Sequence, residues 1–281
     1  MNGKIVLITG ANSGIGKAAA SDLAKMGAQV VMMSRDLEKG ETARKSVVSE
    51  SGNSLVDLME CDLADSASIR RFAAEFQSKY DRLDVLINNA GIFTNKRMET
   101  ADGLEYQIGV NHFGHFLLTD LLLDLIKKSA PARIINVSSA AHVVGRINFE
   151  DLYLKKQFSA RVSYAQSKLA NVLFTYELAH RLAGTGVTVN CLHPGKVSTR
   201  FAYDRKDEKP LWRIRLMRPF SVPPEKGAET IVYLASSHLV EGQTGKYFVK
   251  KRAKSSSRAS YDLETAKRLW EISVETTAIR P

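Results

Sequence analysis

Cysteine is nearly missing from this chain: Cys61 and Cys191 are the only two in 281 residues. Two cysteines build no disulfide framework, so a reducing, cytoplasmic setting is expected. Proline is scarce at 7, and the 18 glycines follow no collagen-like period. Long apolar runs are missing too. No stretch nears the ~18 uninterrupted apolar residues of a membrane span. The nearest, 113–126, is interrupted by Asp120 and Asp124 and reads as an amphipathic helix. No signal peptide is expected, because Met1–Asn2–Gly3–Lys4 runs straight into the apolar residues 5–8. Acids are in deficit. The 40 Lys+Arg outnumber the 30 Asp+Glu, giving +10. Such a balance suits nucleic acid, an anionic membrane surface or phosphorylated ligands.

What is present is a rhythm. Short β-branched runs at 5–9, 29–33, 54–60, 85–88, 133–138, 187–192 and 246–249 alternate with helical stretches. Those stretches are 15–26, 37–51, 66–79, 101–128, 164–183, 224–236 and 262–275. Strands buried on both faces become continuous apolar runs. The alternation therefore predicts an α/β, doubly wound domain spanning 1–281. A central parallel sheet of about seven strands would carry helices on both faces. Two segments break the rhythm, 200–223 and 250–260.

The first strand leads into Thr9–Gly10–Ala11–Asn12–Ser13–Gly14–Ile15–Gly16, where a helix begins. Gly10 permits a tight turn, Gly14 admits a pyrophosphate close to backbone, and Gly16 packs the helix against the strand. The helix N-terminus then offers N–H groups to phosphate. The second strand ends at Ser34–Arg35, where a dinucleotide fold that binds NAD places an acid for the ribose hydroxyls. An arginine there can pair with a 2′-phosphate instead, which points to NADP. Lys17 is expected to add positive potential.

Tyr164 and Lys168 are spaced i, i+4 and share one helix face. A nearby ammonium stabilises a phenolate and lowers the phenol pKa. Tyr164 can then serve as general acid for carbonyl reduction and general base for alcohol oxidation. Ser138 and Ser139 close the expected fifth strand, at the end where doubly wound sheets gather ligands.

These motifs, with Asp62–Leu63, Asn88–Asn89–Ala90–Gly91, Asn111 and Pro194–Gly195 in order, resemble the short-chain dehydrogenase/reductase superfamily. The stretches 10–17, 167–174 and 184–188 are most similar to its retinol dehydrogenase-like branch. The resemblance implies a catalytic set of Asn111, Ser139, Tyr164 and Lys168. Ser139 would steady the substrate oxygen, leaving Ser138 as a polar strand cap. Asn111 would hold a water linking Lys168 to solvent. The implied cofactor contacts are Gly10, Asn12, Ser13, Gly14, Ile15, Gly16, Arg35, Asp62, Leu63, Asn88, Ala90, Gly91, Tyr164, Lys168, Pro194, Gly195, Val197 and Thr199. Within that set, Asp62 would meet the adenine amino group. Asn88 would line the groove and tie strands together. The expected activity is NADP(H)-dependent hydride transfer between nicotinamide and an apolar carbonyl or alcohol, retinal-like or lipid-derived, mainly as reduction. The alternative is a regulatory or membrane-surface protein that binds cofactor on the same fold.

The charge is local. Residues 200–218 hold seven bases and three acids, and residues 250–258 hold five bases and no acid. Together they carry +9 of the +10. The resemblance makes 200–223 a substrate lid, and 250–281 a basic C-terminal extension with a terminal helix. Basic residues interleaved with Trp212, Leu216 and Phe220 also suit peripheral membrane contact through 200–223. No nucleic-acid-binding element accompanies the charge, so no nucleic-acid partner is expected. Vertebrate retinol dehydrogenases typically carry an N-terminal membrane anchor, and none is read here. Monomer and homo-oligomer both stay open. His112 and His115 lack a third ligand, so no metal is expected; they are assigned to structure or the pocket wall. Cys61 and Cys191 read as small core residues.

Overall fold

The computed structural model describes residues 1–195 and 223–278. Eight strands form one sheet in the order β3-β2-β1-β4-β5-β6-β7-β8. They are β1 (Ile5–Thr9), β2 (Gln29–Ser34), β3 (Val56–Glu60), β4 (Val85–Asn88), β5 (Ala132–Val137), β6 (Val187–Leu192), β7 (Lys246–Val249) and β8 (Arg252–Lys254). The first seven pair in parallel, and β8 pairs antiparallel with β7. Val6, Leu7 and Ile8 of β1 are all fully buried. That is why the strand shows no alternation: helices cover both faces.

Helices α1 (Gly14–Lys25) and α2 (Leu37–Ser51) lie on the face whose core includes Val6, Ile8, Leu23 and Val47. The opposite core gathers Leu7, Phe72, Phe76 and Phe116 from β1, α3 (Ser66–Lys79) and α5 (Gly114–Leu121). The strand order reverses between β1 and β4, which opens a crevice at their C-terminal ends. Among the described residues no helix is long and apolar enough to cross a membrane.

Two expectations need correction. The helix expected over 101–128 is broken. Gly103 takes a φ of +76°, and the Glu105 carboxylate accepts the N–H groups of Gln107 and Ile108. That cap starts α4 (Tyr106–Ile108), a π-helical turn follows at Gly109–Phe113, and Leu122 separates α5 from α6 (Leu123–Lys128). The eighth strand is the second. Its residues are all exposed, so it shows no apolar pattern. It follows a tight turn at Lys250 and Lys251, both at positive φ, where glycine or asparagine is the usual signal.

The catalytic-helix candidate, α7 (Ala160–Arg181), begins four residues before the expected 164. Beyond residue 222, α8 (Pro224–Ser236) and α9 (Leu263–Thr277) complete the described helices. Val197, Thr199 and nearly all of the expected lid at 200–223 lie outside the described residues.

At the opposite end of the sheet, buried Asp84 binds Lys4 Nζ at 2.8 Å, Arg82 Nε at 2.9 Å and the Ile5 N–H at 2.9 Å. Burial alone raises its pKa, but these three partners outweigh that and hold it below the ordinary value. Asp84→Ala strips a buried N–H of its acceptor and should cost about 2 kcal/mol. The contribution of the carboxylate is full above its unfolded-state pKa and is lost as pH falls through the lower native value. Urea unfolding at pH 7 and pH 3 checks both points. A variant within about 0.5 kcal/mol of wild type at pH 7 would remove Asp84 from the account.

Candidate active site

Tyr164 stands in the second turn of α7, with Ser139 facing it from the loop after β5. The Ser139 hydroxyl and the Tyr164 phenol are hydrogen-bonded. Ser139 Oγ also accepts the Ala141 N–H at 3.2 Å, capping a 3-10 turn over Ala140–Val144. One lone pair is thereby used and the hydroxyl proton is left to aim at the phenol or a substrate oxygen. Phe93 meets the Tyr164 ring edge-on, with centroids 5.6 Å apart.

Lys168 is almost fully buried. Its ammonium donates to the Val137 carbonyl at 3.1 Å and lies 5.7 Å from the Tyr164 ring centroid. Burial lowers its pKa to about 8. Burial also pushes the Tyr164 phenol up to about 12, and the Ser139 hydrogen bond opposes that only partly. The expected lowering of the Tyr164 pKa is therefore not seen in this geometry. The ammonium sits over the ring and bonds a carbonyl, while desolvation acts on the phenolate directly. Tyr164 is thus held as a protonated acid at neutral pH.

Asn111 lies in the π-helical turn, fully buried. Its Oδ1 accepts the Ile92 N–H at 2.8 Å, and its Nδ2 donates to the Ile92 carbonyl and the Ser167 hydroxyl, each at 3.0 Å. Ser167 Oγ in turn donates to the Tyr164 carbonyl at 2.8 Å. Asn111 therefore joins the loop after β4 to the turn of α7 that carries Tyr164. Ser138 does cap its strand end, and its hydroxyl donates to the Lys168 carbonyl at 2.7 Å.

The glycine loop takes backbone conformations and a close approach that its glycines allow. Gly10 and Gly14 take φ of +64° and +56°. A Cβ on Gly16 would lie 2.5 Å from both the Gly10 carbonyl oxygen and Asn89 Nδ2. Ser13 N-caps α1 without a side-chain hydrogen bond, and no acid stands in the first turn. By contrast Asp36 and Asp65 cap α2 and α3 with their carboxylates. The uncapped end of α1 fits a phosphate. Asn12 and Ile15 are half-buried beside it.

Arg35 is the first residue past β2, exposed, with Nη1 donating to the Tyr106 hydroxyl at 2.8 Å. The next residue, Asp36, is committed to Lys39 through its backbone N–H at 3.0 Å and Nζ at 2.7 Å. No acid therefore takes the ribose position at Ser34. Lys17 does not serve as expected. Its ammonium bonds Ser46 at 2.7 Å and Glu50 at 3.1 Å on α2.

Asp62 is half-buried just past β3 and accepts the Ala64 N–H at 2.9 Å; Leu63 is buried beside it. Asn88 ties its neighbours together, donating to Asn136 at 2.8 Å and Thr119 at 2.9 Å. Its Nδ2 is spent there, its Oδ1 is buried without a protein partner among the described residues, and the residue is 2% exposed. Ala90 and Gly91 are half-buried on the loop that follows. Gly195 is exposed after half-buried Pro194, at φ +89°.

Two residues that the sequence named, Thr9 and His115, take supporting roles it did not specify. Thr9 Oγ1 accepts the Asn89 and Ala90 N–H groups at 2.9 and 2.8 Å. With both lone pairs used, its proton goes to His115 Nε2 at 2.9 Å. His115 Nδ1–H then donates to the Asn111 carbonyl at 3.2 Å. Burial lowers the His115 pKa to about 4. A neutral histidine thus braces the end of β1 against the π-helical turn that holds Asn111. His112 is structural as well, with Nε2 2.9 Å from the Ser273 hydroxyl. Cys61 and Cys191 are buried thiols, both pushed up to about 12 by desolvation.

The short chain dehydrogenase family profile matches residues 4–210. Human retinol dehydrogenase 12 is 48% identical over 279 residues, covering 99% of this chain and 87% of that protein. A crystal structure of an uncharacterized protein from Mycobacterium Paratuberculosis superposes with a TM-score of 0.80 at 38% identity, over 99% of this chain and 94% of that one. The Pseudomonas aeruginosa RhlG/NADP active-site complex superposes with a TM-score of 0.70 at 26% identity, over 88% and 94%.

Proposed function

The chain belongs to the short-chain dehydrogenase family, as an oxidoreductase that uses a nicotinamide cofactor on CH–OH or C=O groups, and we propose that it is an NADP(H)-dependent reductase of apolar aldehydes or ketones. One observation carries the reading: a protonated tyrosine is hydrogen-bonded to Ser139 and lies under the Lys168 ammonium, in a chain whose glycine-loop helix starts without a side-chain cap. The whole chain is read as one catalytic domain with a basic C-terminal extension.

A nicotinamide dinucleotide in this crevice supplies hydride chemistry at the carbonyl carbon. The residues do the rest. Gly10, Gly14 and the first turn of α1 would hold the pyrophosphate, and Arg35 would hold the 2′-phosphate. Ser139 donates a hydrogen bond to the carbonyl oxygen as negative charge builds there. Tyr164 gives that oxygen its proton, and Lys168 steadies the phenolate left behind. Run backwards, the same groups take the proton from an alcohol. Phe93 beside Tyr164, and the retinol dehydrogenase name of the human relative, support an apolar substrate.

An NADPH-consumption screen over aldehydes and ketones of graded chain length, retinal included, tests the reading. Turnover should rise with chain length and prefer NADPH over NADH. Activity only on short polar carbonyls would contradict the apolar assignment, and tighter binding of NADH would contradict the cofactor assignment. The pH profile follows from Lys168. Its charge is complete a pH unit or more below its pKa of about 8, so kcat/KM for reduction should be flat there. Above that value it should fall by about tenfold per pH unit. Lys168→Arg, charged throughout, should abolish the fall. A wild-type profile flat to pH 10 would show that the ammonium is not required.

A further inference from the structure

One buried side chain is left over by this chemistry. His142 is 1% exposed, in the 3-10 turn that Ser139 caps. Its Nδ1 lies 2.7 Å from the Ser139 carbonyl oxygen, and its Nε2 lies 3.1 Å from the Ser257 backbone nitrogen. A backbone N–H can only donate, so Nε2 is the acceptor. A carbonyl can only accept, so Nδ1 carries the proton. Both ends select the same neutral tautomer. The ring packs on Tyr247 with centroids 4.8 Å apart, and Tyr247 in turn stacks on His193 at 6.0 Å. The far partner is anchored. Ser256 Oγ lies 2.6 Å from both the Tyr176 and the Ser260 hydroxyls, and its N–H bonds the Tyr261 hydroxyl at 3.1 Å. The β7–β8 hairpin is what returns residues 255–257 to this position.

We propose that His142 is a positioning residue: it clamps the Ser139 backbone with one ring nitrogen and the C-terminal extension with the other, so that residues 255–257 hold the Ser139 hydroxyl in its catalytic place. The basic segment that broke the sequence rhythm thereby acquires a part in the reaction. The inference rests on Ser139 being catalytic, as proposed above. A side chain bonded to the hydroxyl's own residue sets where that hydroxyl points, and small misplacements at a reacting centre cost rate rather than binding.

The test uses the full chain and the best carbonyl substrate of the screen. His142→Ala should lower kcat by about tenfold, with KM and the NADPH Kd within about twofold. His142→Asn keeps an N–H near the Nδ1 position but lacks the Nε2 acceptor, and should restore kcat to about fivefold below wild type, the level of Ser257→Pro. His142→Gln reaches only the Nε2 position and should not. Ser257 has φ −66°, which proline adopts, so Ser257→Pro keeps the local backbone, removes the far hydrogen bond and sets a ring carbon against His142 Nε2 in its place. It should lower kcat about fivefold. In a Ser139→Ala background, His142→Ala should add less than about a twofold further loss, because the two act through one group. Equal activity of the Asn and Gln variants, or a full additional loss in the Ser139→Ala background, would overturn the inference. So would wild-type kcat in both His142→Ala and Ser257→Pro while Ser139→Ala is impaired. Unimpaired Ser139→Ala would instead defeat the catalytic reading itself.

Discussion

Replacing Tyr164 with phenylalanine should lower kcat for NADPH-linked carbonyl reduction by about three orders of magnitude. NADPH affinity should stay within about twofold, because the contact surface is kept and only the hydroxyl is lost. The ring is half-buried and edge-packed on Phe93, and phenylalanine fills the same volume. The lost atom is the one hydrogen-bonded to Ser139, and no other described acid stands beside it. With the phenol pushed up to about 12, wild-type Tyr164 is protonated across the working pH range. The variant therefore loses its proton donor at every pH. Stopped-flow or steady-state absorbance at saturating NADPH measures it. A variant within tenfold of wild type would mean that the proton comes from elsewhere.

The second large effect is on cofactor choice. Arg35→Asp should invert the preference, with the ratio of NADPH to NADH affinity falling by about a thousandfold. Loss of a charge-assisted hydrogen bond contributes about 1.5–3 kcal/mol, and repulsion between carboxylate and 2′-phosphate adds to it. Arg35 can carry this because Ser34 is neutral and buried, and Asp36 is held by Lys39 as the cap of α2. Arg35→Ala should show the first part alone, weakening NADPH by about 30-fold and leaving NADH within about twofold. Isothermal titration with both cofactors reads each term. Equal weakening of NADPH and NADH by Arg35→Ala would mean that Arg35 acts on something the two share.

Much of the fold was legible because it rests on backbone geometry that residue types announce. Most of the parallel strands are apolar runs, and the glycine loop needs positive φ that glycine supplies. Tyr164 and Lys168 needed only helical spacing. What was hidden depends on contacts between distant segments. The π-helical turn that aims Asn111 has no composition of its own; it follows from the Glu105 cap and the close packing of Gly109 and Gly114. Strand β8 is exposed and basic, and its pairing with β7 rests on a turn without the usual residues. The Thr9–His115–Asn111 brace and the Ser139–His142–Ser257 clamp join residues separated by up to 115 positions. Lys17 shows the opposite case. Its place beside the glycine loop suggested a phosphate partner, yet Glu50 on α2 claims its charge.

The central claim is that this site passes hydride from NADPH to a carbonyl carbon while Tyr164 supplies the proton. The most direct measurement is a turnover with NADPH carrying deuterium at the transferring nicotinamide position, with retinal or a long-chain aldehyde as acceptor. Mass spectrometry of the alcohol should find one deuterium on the former carbonyl carbon with wild-type enzyme, and a rate reduced about a thousandfold with Tyr164→Phe. Alcohol formed without deuterium from either face of the labelled cofactor, or at an unchanged rate in Tyr164→Phe, would contradict the account.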